Sequence, residues 1–472
     1  MDRRNKLAAF PVFALLILMC LPALAAPDIP GTPAGQAFKD WLTSFNSADP
    51  GQIAAFKQKY ARRGEVEETL QFRRYTGGFE LLQVERSTPD SLLALLREKE
   101  SERGMYLQLT TKGDGRGDNL IMEIRPATLP PKFATPRMTM PDALAAVRER
   151  AAQKSKSDQF SGALLFAKND RILLQQAWGS ADRESSRATT VETQFRLGSL
   201  NKMFTAVAVL QLVDAGKLSL KGTVGQYLPD YPDRDVAAKV TLHHLLTHTG
   251  GTGDFFGPEF EAHRLQLKEH ADYVALFGKR APEFEPGSQD GYSNYGYVLL
   301  GRLIEAVSGM SYYDYVQQHI YAKAGMRSTG SLPESDVVPG RAQGYMKEDA
   351  RWVSNANTLP FRGMAAGGGY STVGDLFRFA QALQAGKLIP KPLLTAATSP
   401  QNNGGGFGYG FGLEGEGAAR FYGGVGGAPG MNAELRIYPE LGYVLVGLSN
   451  FDPPAAENMV EFFAARMPVE GS

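Results

Sequence analysis

The chain has 472 residues, 43% hydrophobic and 21% charged, which suits one large domain beside a smaller one, with ample core. Its 50 basic residues balance 50 acidic ones, and no basic run interleaves with aromatics, so nothing in it points to a nucleic-acid partner. The one cysteine, Cys20, excludes a disulfide framework within the chain.

Residues 1–26 read as an export signal. Arg3, Arg4 and Lys6 open it, an apolar run follows from Leu7 to Leu24, and Ala23-Leu24-Ala25 has the small-x-small form of a cleavage site. Met19 before Cys20 is too large for a good lipoprotein site. An uncleaved membrane anchor is the alternative, since the run is just long enough to span; Pro11, Pro22 and the A-x-A ending favour cleavage. Removing Asp2, Arg3, Arg4 and Lys6 leaves 47 basic and 49 acidic residues in a thiol-free chain bound for the periplasm or the exterior.

Residues 27–135 predict a small α+β domain. Ala37–Asn46 and Ile53–Tyr60 read as helices, and Phe79–Arg86, Met105–Thr111 and Asn119–Arg125 as strands. Glu65, Glu67 and Glu68 suit a solvated face, and Pro126, Pro130, Pro131 and Pro136 a linker. No chemistry is legible here.

The larger domain is expected over residues 140–468. It begins with a β-hairpin, Phe160–Ala167 and Arg171–Ala177 around the turn Lys168-Asn169-Asp170. Then comes Gly198-Ser199-Leu200-Asn201-Lys202. Met203, Ala206, Val207, Leu210 and Val213 recur behind it at helical spacing, and Gly216 stands where a helix C-cap belongs. A helix start puts Ser199 among unpaired backbone N–H groups, and Lys202 one turn later lies within reach of its oxygen. A serine hydroxyl becomes a nucleophile when a base takes its proton, and a lysine sunk among apolar side chains loses basicity enough to be that base. By itself, Ser-x-x-Lys also arises by chance, and a serine at a helix start is commonly only a cap.

Residues 223–231 read as a loop. His244 and His248 stand at i, i+4, but Leu245 and Leu246 occupy the place of the glutamate of a zinc-protease motif, so packing or hydrogen bonding is the reading and no metal is expected. Tyr292-Ser293-Asn294 then lies on a glycine-flanked turn before an apolar helix. A phenol near an ammonium group gives up its proton more easily and can shuttle it, and an amide can hold a carbonyl or orient the lysine. An aromatic plug beside a capping asparagine is the plainer alternative.

Taken together, Ser199-x-x-Lys202 and Tyr292-x-Asn294 some ninety residues on resemble the serine β-lactamase and penicillin-binding-protein superfamily, on the class C side; class A carries Ser-Asp-Asn in the second place. The resemblance covers roughly residues 158–450. It includes Leu245-Leu246-Thr247-His248-Thr249-Gly250, Gly367–Thr372 with Asp375-Leu376, Gly430-Met431-Asn432 and the closing hairpin from Arg436 to Asn450. Family VIII carboxylesterases and D-amino-acid amidases or peptidases are similar too. The resemblance implies an antiparallel sheet flanked by helices with a helical cluster, the β-lactamase/transpeptidase-like fold. It also implies an acyl-enzyme on Ser199, with Lys202 and Tyr292 passing the proton, Asn294 steadying substrate and lysine, and an oxyanion held by the N–H groups of Ser199 and an edge strand.

That strand departs from the pattern. It reads Phe421-Tyr422-Gly423-Gly424-Val425-Gly426-Gly427-Ala428, which places Gly424 where the family has Lys or His. Gly424, Val425 and Gly426 can still offer backbone, and Gly427 N–H is the expected oxyanion donor. The missing cation turns the expectation from carboxylate-bearing penicillins and D-alanyl peptides toward an uncharged ester, amide or peptide, unless Arg420 or another base compensates. No Gly-x-Ser-x-Gly elbow and no phosphate loop occurs, and no cofactor is implied. The reading is a serine hydrolase of esterase or peptidase type. The alternative from another class is a cell-envelope binder that keeps the pocket without turnover.

Overall fold

The computed structural model describes residues 27–60, 64–111, 120–348 and 351–469. The expected export signal and Asn119 lie outside them. The chain divides into two units, Met1–Lys99 with Arg103–Phe133, and Glu100–Glu102 with Ala134–Ser472.

In the first unit, helices α1 (Pro33–Ser47), α2 (Pro50–Lys59) and α3 (Val66–Thr76) precede strands β1 (Phe79–Ser87), β2 (Ser91–Glu98), β3 (Gly104–Thr110) and β4 (Ile121–Ala127). The strands form an antiparallel meander in that order. Thr32 and Asp49 cap α1 and α2 by accepting from the N–H groups of Gly35 and Gln52, each with proline at the first helical position. Phe38, Trp41 and Phe45 recur along α1 and pack with Leu92, Ala94 and Leu96 of β2 and Leu107 and Leu109 of β3.

Sequence reasoning passed over two of these elements. The β2 run Leu92-Leu93-Ala94-Leu95-Leu96 has no alternation that separates strand from helix. In α3 the exposed Glu65 and Glu68 are a reciprocal capping box at the helix start, and Glu67 pairs with Arg74 on the surface. Pro126 belongs to β4 rather than to a linker; β4 is an edge strand, where a missing N–H is tolerated.

The second unit is built on a six-stranded antiparallel sheet. Its members are β5 (Gly162–Lys168), β6 (Arg171–Trp178), β7 (Gly412–Glu414), β8 (Phe421–Ala428), β9 (Met431–Tyr438) and β10 (Tyr443–Ser449), in the order β7-β8-β9-β10-β5-β6. Both faces are covered, so β5 is apolar from Gly162 to Ala167. Ala163, Leu165 and Ala167 join the core with helices α5 (Lys202–Asp214), α6 (Asn294–Ser308) and α7 (Val373–Gln384). Leu164 and Phe166 face the other way, toward α4 (Met140–Lys156) and the helix Ala455–Ala464, where Phe166 stacks on Phe463 with centroids 4.4 Å apart. Short helices between Val224 and Phe277 form the helical cluster, and the first, Val224–Tyr227, replaces part of the loop expected at 223–231.

Candidate active site

Ser199 sits on a 3-10 turn, Gly198–Asn201, and the α-helix begins only at Lys202. The serine is therefore one turn ahead of the α-helix rather than inside it, and α5 starts with the lysine. Three backbone bonds fix the turn: Leu200 N–H to Leu197, Leu197 N–H to Gly369, and Gly368 N–H to the Gly198 carbonyl. Gly198 has φ +53°, and a Cβ there would stand 2.9 Å from the Gly427 nitrogen, so glycine is required twice over. From Phe195 to Leu210 every residue is buried except Ser199, which is half-buried. The first turns of α5, apolar on nearly every side, lie inside the protein and carry Lys202 in with them, 3% exposed.

The four side chains singled out by spacing converge. Lys202 Nζ lies 3.1 Å from Ser199 Oγ and donates to Asn294 Oδ1 at 2.7 Å and to the Ala366 carbonyl. Tyr292 donates to Ser199 Oγ at 2.8 Å. The rings of Tyr292 and Tyr297 stand 4.9 and 5.4 Å from Nζ. Burial drives the Lys202 amine down from its usual value to about 7, with the charge of Asp254 pulling the other way. The lysine is thus substantially neutral at physiological pH.

Tyr292 departs from expectation. Burial of its hydroxyl pushes the phenol up, and the hydrogen bond to Ser199 only partly offsets this. Tyr292 as a whole is 55% exposed, while its hydroxyl turns inward to Ser199. It stands as a neutral donor, and the amine carries the basicity.

Asn294 opens α6 behind Ser293, whose hydroxyl caps the helix by accepting from Gly296 N–H. Its Nδ2 donates to Asp254 Oδ2 at 2.7 Å, and Asp254 Oδ1 accepts from the N–H groups of Phe255 and Phe256.

His248 is not on the helix that carries His244; it follows that helix in a left-handed conformation, φ +59°. Its carbonyl accepts from Gly291 N–H and its Nδ1 from Ser293 N–H, so both sides of Tyr292 are tied to one residue. The His248 ring lies 4.4 Å from the Tyr292 ring. Because Nδ1 accepts, the imidazole proton is on Nε2. Burial, reinforced by Lys202, pushes its pKa down to about 3, so the ring is neutral.

Strand β8 runs beside the serine turn. Strand β7 pairs with it only as far as Gly423, so Gly424–Ala428 form a free edge. A Cβ on Gly426 would fall 1.8 Å from the Leu197 carbonyl, which explains glycine there. A Cβ on Gly424 would meet Leu200 and Met203 at 3.3–3.4 Å, so this position faces the serine helix, as the register requires. Val425 is one residue out of phase, 41% exposed, and brings only its main chain to this edge.

A family profile described as Beta-lactamase matches residues 147–466. The chain belongs to the beta-lactamase family, and with it to the serine hydrolases. Penicillin-binding protein 4* of Bacillus subtilis (strain 168) is 32% identical over 314 residues, 62% of this chain and 68% of that one. Esterase EstB of Burkholderia gladioli is 29% identical over 50% of this chain and 69% of its own. A D-stereospecific amidohydrolase from Streptomyces sp. superposes with a TM-score of 0.56 at 26% identity, covering 67% of this chain and 96% of the other. Among the first curated relatives the match spans 56–68% of their own lengths.

Sequence reasoning missed Asp254 and the Ala366 carbonyl; it expected His248 to pack or hydrogen-bond, as it does, without placing it beside Tyr292. Asp254 stands alone between Gly253 and Phe255 with no patterned neighbour, and a main-chain acceptor leaves no mark in a sequence. His248 was within reach, since it lies in the Leu245–Gly250 stretch that carries part of the resemblance.

Proposed function

We propose that this protein hydrolyses uncharged esters or amides through an acyl-enzyme on Ser199. The carrying observation is that Lys202 Nζ and Tyr292 Oη both meet Ser199 Oγ, the one accessible side chain in an otherwise buried run. Neutral Lys202 takes the serine proton as Oγ bonds to the substrate carbonyl carbon. The oxyanion forms beside the N–H groups of Ser199 and Gly427, donors fixed before the reaction by the 3-10 turn and the free edge of β8. On collapse the leaving group departs with a proton relayed from Lys202 through Tyr292, which regains one as it gives one up. Water, deprotonated by the same amine, then splits the acyl-enzyme and returns free Ser199. Asn294 holds Lys202 throughout.

The substrate reading rests on Gly424, which offers no charge, and on Lys202, whose N–H groups already have partners. A substrate carboxylate finds no cation among these groups. An ester or amide with an uncharged acyl part fits better than a penicillin. Residues 1–26, with their basic start, apolar run and A-x-A ending, support export to the periplasm or beyond.

A fluorophosphonate probe should label the mature protein, and Ser199→Ala should abolish labelling with the fold intact. A short-chain p-nitrophenyl ester should turn over faster than nitrocefin. No labelling of the folded protein refutes the hydrolase mechanism, and faster nitrocefin turnover refutes the substrate class.

A further inference from the structure

Lys202 Nζ has three polar contacts, and two of them, Asn294 Oδ1 and the Ala366 carbonyl, can only accept. A neutral amine has two N–H groups and one lone pair. With both N–H groups taken by those acceptors, the lone pair faces the third contact, Ser199 Oγ at 3.1 Å. Ser199 Oγ already accepts from Tyr292, so its own proton is free to point at the amine. Everything therefore depends on which end of the Asn294 amide faces Lys202. The two ends are nearly the same shape, and a reversed amide would offer Nδ2–H to the lone pair and turn it away from the serine.

We propose that Asp254 is a positioning residue for the hydrolase reaction, its carboxylate fixing the Asn294 amide so that the Lys202 lone pair points at Ser199. A carboxylate only accepts, and Asp254 Oδ2 takes Asn294 Nδ2–H at 2.7 Å, which leaves Oδ1 of the amide for the lysine. The carboxylate is itself aimed by the Phe255 and Phe256 N–H groups on its other oxygen. The titratable groups around Lys202 are Asp254, neutral His248, and the neutral phenols Tyr292 and Tyr297. Asp254 is the one that brings a full charge, and it opposes the downward push of burial on the amine.

This rests on the mechanism proposed above, and Asp254→Asn tests it. The variant keeps an acceptor for the Phe255 and Phe256 amides but sets a donor against Asn294 Nδ2, so the amide reverses. Ester kcat/KM should fall about tenfold or more with KM little changed, and the pH at which Lys202 loses its proton should drop by about one unit. Adding Asn294→Asp restores the polarity, because the carboxylate it introduces accepts both from the new amide at position 254 and from Lys202. Rate should return at high pH, with the acid limb of the profile now above that of the parent.

Thermal unfolding reports whether each variant is folded. The carbon-13 shift of Lys202 Cε in lysine-labelled protein follows its titration without any turnover. A folded Asp254→Asn protein with parental rate and parental Lys202 titration overturns the proposal. So does an equal loss of rate at every pH with no shift in Lys202 and no rescue by the second change, the result a purely structural role gives. An inactive parent would sink the hydrolase mechanism instead, and the Lys202 titration would still decide the role of Asp254.

Discussion

Among the buried cations of the second unit, two lie on opposite faces of one sheet and have opposite fates. Arg436, 3% exposed, is held by Glu434 at 2.6 Å and Glu461 at 2.7 Å. Burial alone would lower its pKa, but the two carboxylates more than reverse this, and the guanidinium stays charged. Lys202 is equally buried, yet its direct partners are a hydroxyl, an amide oxygen and a main-chain carbonyl, with the nearest carboxylate one residue removed behind Asn294. What separates a strut from the proposed base is whether the contacting oxygens carry charge. Arginine suits the first role because it does not give up its proton, and lysine the second because it does.

The largest effect expected from breaking this contrast is on rate. Lys202→Met keeps the volume of the side chain and removes the base, and ester kcat/KM should fall about 10³-fold while the protein still folds. Only a modest loss would place the base elsewhere. The mirror change, Glu434→Gln, leaves the buried Arg436 with one carboxylate and should cost about 3 kcal/mol in urea unfolding. Activity per folded molecule should stay near the parental level, and a specific loss of rate would show the two faces to be coupled.

His248 sharpens the comparison at low pH. Its folded pKa of about 3 lies below the ordinary histidine value of 6.5, so between those values the unfolded chain binds more protons than the native one. Its contribution is complete above 6.5 and is lost as pH falls toward 3. His248→Asn, which tolerates the left-handed backbone, should remove that slope, worth about 2 kcal/mol between pH 7 and about pH 5. Unfolding curves at the two pH values measure it, and an unchanged slope would mean that His248 is not neutral in the fold.

The smallest effect needs no mutation. If Lys202 acts as the free amine, kcat/KM should rise about tenfold per pH unit below about 7 and level off above it. A rate still climbing tenfold per unit well above pH 7 would make Lys202 another Arg436, charged across the neutral range.

The reach of sequence reasoning followed the range of the interactions. Ser199 and Lys202 are three residues apart, Tyr292 and Asn294 two, and the alternation of the hairpin strands is local, so these pairs could be read directly. Bringing the two pairs together took a resemblance, because no local rule joins residues ninety positions apart. The lowered Lys202 pKa depends on burial from all sides, and only the assembled core supplies that. The expectation that Tyr292 gives up its proton easily counted a neighbouring charge but not the cost of burying a phenolate. The length of the 3-10 turn before α5 was hidden as well, since it is fixed by Gly368, Gly369 and the approach of β8.

The solitary exposure of Ser199 within its buried run has a consequence for the protein's own durability. An amine that is free at neutral pH is a good nucleophile, and activated esters acylate such amines irreversibly, forming an amide that water does not readily cleave. Lys202 touches the Ser199 oxygen but offers almost no surface to an incoming carbonyl, so in the proposed mechanism the electrophile meets the alcohol first and leaves again as product. The same enclosure that leaves the amine neutral enough to serve as the proposed base keeps it from being acylated in turn.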